Sequence, residues 1–114
     1  MKEPTFAPAY VGLYPALAEV AREHGYALAV HGTVTRDFDL IAIPWTEEAT
    51  DAKTLITALA KRIEFALDKP FEIEDLFTKK EFHEDKPHGR KAWSIILDCG
   101  ASLDISVTPR NNNG

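Results

Sequence analysis

Apolar positions along the chain follow two rhythms. Leu13, Leu17, Val20 and Ala21, with His24 a turn further on, recur at spacings of three and four, the period of a helix with one buried face. Pro15 suits the first turn of such a helix, where a missing N–H has no partner to lose. Gly25 suits the residue just past its end, so a helix is predicted over residues 12–24. A second helical stripe, Leu55, Ile56, Leu59, Ile63, Ala66 and Leu67, predicts a helix over 51–68. Thr50 or Asp51 would be its N-cap, and Pro70 closes its far end.

Between these helices the rhythm changes. Residues 26–31 (YALAVH) read as a buried strand and residues 37–43 (DFDLIAI) as a second, with Pro44 and Trp45 ending it. Leu40, Ile41, Ala42 and Ile43 are apolar at every position, the mark of a central strand covered on both faces. Residues 71–77 (FEIEDLF) fit either a strand or a helical turn. Residues 79–109 read as two or three antiparallel strands, broken by turn signals at 85–89 (DKPHG) and 99–102 (CGAS). Pro4 and Pro8 mark an extended arm at the start, and residues 110–114 (RNNNG) read as a disordered tail. The order predicts a single α+β domain over residues 1–109, with helices packed on one face of a mixed β-sheet.

Composition narrows the function. At 114 residues the chain suits one domain with a core of its own. A net charge of -5 argues against broad electrostatic binding to nucleic acid or anionic membrane, though not against a local basic site. Cys99 is the single cysteine, so no intramolecular disulfide can form, which suits a cytoplasmic setting. Residues 1–10 lack the apolar core of a signal peptide. No stretch approaches the roughly 20 apolar residues of a membrane span.

The candidate chemistry is acidic. Side chains alternate along a strand, so Asp37 and Asp39 are expected to point the same way at the mouth of a buried strand. Two carboxylates so placed repel each other, and a divalent cation relieves that repulsion. Magnesium in particular takes one or two protein carboxylates together with phosphate oxygens and water. Asp104 lies in an alternating run, 102–107 (SLDISV), with Leu103, Ile105 and Val107 on one side and Ser102, Asp104 and Ser106 on the other. If that strand pairs beside 37–43, the three aspartates meet. An Asp-x-Asp pair alone is more often a solvated strand end than a metal site, and Asp98 reads as a turn residue.

The residues ahead of the pair sharpen the signal. Val30, His31, Gly32 and Thr33 run from a strand into a Gly-Thr turn, followed after three residues (34–36) by Asp37, Phe38, Asp39 and Leu40. Glycine lets backbone approach a phosphate, and Thr33 adds a hydroxyl and an N–H. Arg36 adds a charged fork suited to phosphate oxygens. This pattern resembles the polymerase β-type nucleotidyltransferase superfamily, the minimal nucleotidyltransferases being nearest in size. The resemblance covers roughly residues 10–67, with 99–107 supplying the strand of the third acid. It implies that Asp37, Asp39 and Asp104 bind Mg2+ (or Mn2+) and that Gly32 and Thr33 hold a nucleoside triphosphate, with Arg36 as a further phosphate-binding candidate. It also implies transfer of a nucleoside monophosphate to a hydroxyl acceptor, which is a protein, an RNA or a small molecule. The chain departs from the family in having Thr where Ser is usual and in its very short link before the first acid. The stretch from His31 to Leu40 is also similar to small phage-encoded proteins, a likeness that implies no activity. The alternative is a catalytically degenerate module of the same fold, binding a nucleotide or a partner protein, as a homodimer or with a small antitoxin-like or phage accessory partner.

The remaining polar residues carry less. His24, His31, His83 and His88 have no zinc spacing with Cys99. His31 could touch a phosphate, but a partly buried strand-end histidine is the simpler expectation. Trp45 and Trp93 could stack on a base, but more often such residues pack under helices. Lys79, Lys80, Lys86, Arg90 and Lys91 make the second half locally basic. A solvated hairpin is the simpler account of them, and attraction of an acceptor phosphate the functional one.

Overall fold

The computed structural model describes residues 11–31, 37–97 and 102–109. The expected arm (1–10) and tail (110–114), the glycine turn with Arg36, and Asp98 with Cys99 lie outside them.

Helix α1 (Tyr14–Glu23) has Pro15 in its first turn and turns its buried Leu17 and Ala21 to the core. Gly25 follows it with φ of +87°. Its carbonyl then accepts hydrogen bonds from Trp45 N (2.8 Å) and Thr46 N (3.2 Å), which ties the end of α1 to the end of the second strand. Strand β1 (Tyr26–Val30) runs antiparallel to β2 (Asp37–Pro44). Pro44 is the last strand residue, opposite Tyr26, so the proline closes the strand from within. Helix α2 (Ala52–Leu67) is capped by Asp51, whose side chain accepts from Thr54 N at 2.8 Å, and it buries Leu55, Ile56, Leu59, Ala60 and Ile63. Helix α3 (Asp75–Thr78) resolves the ambiguous segment as a single helical turn around the buried Leu76.

Strands β3 (His83–Asp85), β4 (Lys91–Ile96) and β5 (Ser102–Val107) complete a five-stranded sheet in the order β1-β2-β5-β4-β3. The antiparallel reading of residues 79–109 holds for β3–β4 and β4–β5, but β5 also pairs with β2, and that pairing is parallel. β5 is thus a central strand, and its parallel neighbour lies some sixty residues away in sequence, a pairing that local pattern does not specify. β3 is short because its residues, His-Glu-Asp, offer little apolar surface to bury.

The sheet has two unlike faces. Tyr26 and Leu28, Phe38, Leu40 and Ala42, Trp93 and Ile95, and Leu103, Ile105 and Val107 form one cluster with the buried residues of the three helices. The helices therefore pack on this face, an α+β architecture with a mixed sheet. β2 differs from expectation here. Only its Phe38-Leu40-Ala42 face is fully covered, and Ile43 is 42% exposed on the other.

Candidate functional site

The open face of the sheet carries the polar positions that alternation assigned away from the core. β2 and β5 pair so that Asp39 stands beside Asp104, with Phe38 beside Leu103 and Leu40 beside Ile105. Neighbouring strands lie about 4.8 Å apart, so the two carboxylates project from adjacent Cα positions within reach of one ion. Because Leu103 and Ile105 are fully buried, Asp104 cannot turn inward without breaking the core. Ser94 of β4 stands on the other side of Asp104 and extends the polar row by one strand. Asp104 Oδ1 accepts a hydrogen bond from Ser102 Oγ at 3.2 Å. Among the described residues no cation pairs with Asp104.

These groups floor a cleft of about 300 Å3. His31 borders it at the end of β1, where its backbone N donates to Asp39 O at 2.8 Å. His31 is exposed, not partly buried as expected of a strand-end histidine, and it follows β1, an edge strand of the sheet. The opposite wall is the β3–β4 hairpin, with Glu84, Lys86 and Arg90. Ala92 and Ser106, paired across β4 and β5, are small and leave this end of the cleft open.

Of the predicted site residues, Asp39 and Asp104 are brought together. Asp37 begins β2 with its backbone paired to Ser102, and its side chain lies outside the described part of the structure. Gly32, Thr33 and Arg36 also lie outside it. Among the described residues no group of three His, Cys, Asp or Glu side chains gathers as for a metal ion. The two aromatic candidates separate. Trp93 is buried beside Phe77 (ring centroids 6.1 Å, 63° between planes), while Trp45 is 79% exposed and does not line the cleft.

The sequence does not mark Ser94 as a candidate, and it presents Arg90 only within the basic set Lys79, Lys80, Lys86, Arg90 and Lys91. Ser94 was legible in principle, since it lies between Trp93 and Ile95 in an alternating strand and must therefore face away from the core. Arg90 was hidden in a basic stretch, where nothing local separates a cleft residue from a solvated one. No family model, curated protein or solved structure matches this chain.

Proposed function

We propose that this protein is a metal-dependent nucleotidyltransferase-like protein that binds a nucleoside triphosphate in the cleft above β2 and β5 and transfers its nucleoside monophosphate to a hydroxyl acceptor. The observation that carries the reading is the register of Asp39 beside Asp104 on the open face of the sheet. Two hard oxygen donors side by side, next to serine hydroxyls, suit Mg2+ or Mn2+, which keep water and phosphate oxygens as further ligands. Asp39 and Asp104 would hold the ion, with Asp37 as the third acid. A divalent ion there supplies charge neutralisation for the phosphates and for the leaving pyrophosphate.

The chain's own part is to bind and position. Gly32, Thr33 and Arg36, assigned from sequence, take the triphosphate where β1 passes into β2. The acceptor oxygen attacks the α-phosphorus, the bond from that phosphorus to the α–β bridging oxygen breaks, and pyrophosphate departs. One of the aspartates accepts the acceptor's hydroxyl proton. The acceptor would approach across the half-buried floor formed by Asp39, Asp104 and Ser94.

Titration calorimetry with a slowly hydrolysed nucleoside triphosphate, with and without magnesium, tests the reading. Wild type should bind it only with the metal present. Gly32→Val should lose that binding while keeping the fold, because a branched side chain would fill the place of a phosphate. Triphosphate binding that ignores magnesium, or no binding at all, contradicts the proposal.

A second reading, a degenerate module that binds a nucleotide or a partner protein, has one observation in its favour. The β1–β2 end of the open face is apolar and exposed, with Ala27 and Ile43 side by side. Metal binding without triphosphate binding would favour it over the enzyme reading.

A further inference from the structure

The hairpin wall of the cleft carries a cation that the reading above leaves unused. Arg90 is half-buried, and its guanidinium is held by two neutral acceptors. Nε donates to Pro87 O and Nη1 to Ser106 Oγ, both at 3.3 Å. Among the described residues no carboxylate pairs with it. The hairpin lysines are paired with carboxylates, Lys86 with Glu84 (3.3 Å) and Lys91 with Asp85 (3.8 Å). Arg90 instead turns onto the open face and lies on Ser106, one same-face position along β5 from Asp104. Asp104 in turn bonds to Ser102, on its other side. An arginine serving to neutralise the acids would close on Asp104. Here arginine and aspartate are held by serines on opposite sides, with the cleft between them.

We propose that Arg90 is a phosphoryl-binding subsite at the hairpin end of the cleft, taking a phosphate group of a molecule whose reacting centre lies at Asp39 and Asp104. A guanidinium has five N–H donors in a fixed fork, and two of Arg90's are committed, so the remainder can meet phosphate oxygens. Ser106 and Pro87 O preset its rotamer, which lowers the entropy lost on binding. Arg90 stands on the β4 side of Asp104, away from β1. The subsite rests on the metal-and-triphosphate reading of the cleft. Its phosphate belongs either to the triphosphate tail or to a phosphorylated acceptor.

The test measures affinities on the full chain by titration calorimetry, using wild type, Arg90→Gln, Arg90→Lys and Ser106→Ala, each checked for an unchanged melting temperature. The probes are Mn2+ alone, magnesium with a slowly hydrolysed ATP analogue, and glycerol phosphate added to the analogue-saturated protein. Arg90→Gln should leave Mn2+ affinity unchanged and weaken a phosphate-bearing probe about 10-fold or more, the scale of a lost charge-assisted hydrogen bond. Arg90→Lys should retain part of that affinity, since it keeps charge but loses the fork, and Ser106→Ala should lose a few-fold. Loss confined to the analogue assigns the phosphate to the triphosphate, and loss confined to glycerol phosphate assigns it to the acceptor. Equal affinities of wild type and Arg90→Gln for both phosphate probes would overturn the subsite. Failure of wild type to bind Mn2+ would instead overturn the metal reading beneath it.

Discussion

Single residues decide where this site can exist. Asp104 lies between Leu103 and Ile105 on β5, and the complete burial of those two side chains fixes the aspartate outward. That much followed from alternation alone. The partner of Asp104 did not, because strand pairing over long sequence separation leaves no local mark. Gly25 is the clearest case of one residue holding two elements. At φ of +87° any other residue is strained, and a Cβ there would lie 2.6 Å from Ala49 Cα and 2.8 Å from Ala49 N. Since backbone cannot yield as a flexible side chain does, Gly25→Ala should cost about 2–3 kcal/mol, readable as a shifted midpoint in urea denaturation with an unchanged slope. A midpoint equal to wild type would show that the α1–β1 corner relaxes freely.

At the scale of elements, the helices were the most legible part. The stripe of α2 was read from its spacing, and its ends agree with the predicted bounds within one residue, Asp51 proving to be the cap. Asp51→Ala should therefore cost about 1 kcal/mol by leaving Thr54 N without its side-chain acceptor. Leu59, fully buried at the centre of the stripe, should cost about 2–5 kcal/mol on truncation to alanine. Chemical denaturation of both variants checks the ranking, and a larger loss for Asp51→Ala would contradict it. The strands were legible as strands, but their order was not. β2 reads as apolar on both faces, yet one face is open, because nothing in Ile41 or Ile43 tells whether a second layer exists to cover it.

For the molecule as a whole, one layer of helices covers one face of a five-stranded sheet and leaves the polar face with Asp39 and Asp104 open. No helix among the described residues is long and apolar enough to cross a membrane. The net charge of -5 disfavours long-range attraction of a polyanion. Two acidic side chains, Asp39 and Asp104, stand in register beside an open cleft. The central claim is that Asp39 and Asp104 hold a divalent ion, and metal-dependent stability tests it most directly. The measurement is the free energy of unfolding of wild type and Asp39→Asn, with and without Mn2+. Ligand at 100 times its dissociation constant should stabilise wild type by about 2.7 kcal/mol, and Asp39→Asn should lose most of that gain while folding normally without metal. Equal stability of wild type with and without millimolar Mn2+, or the same gain in Asp39→Asn, would contradict the claim.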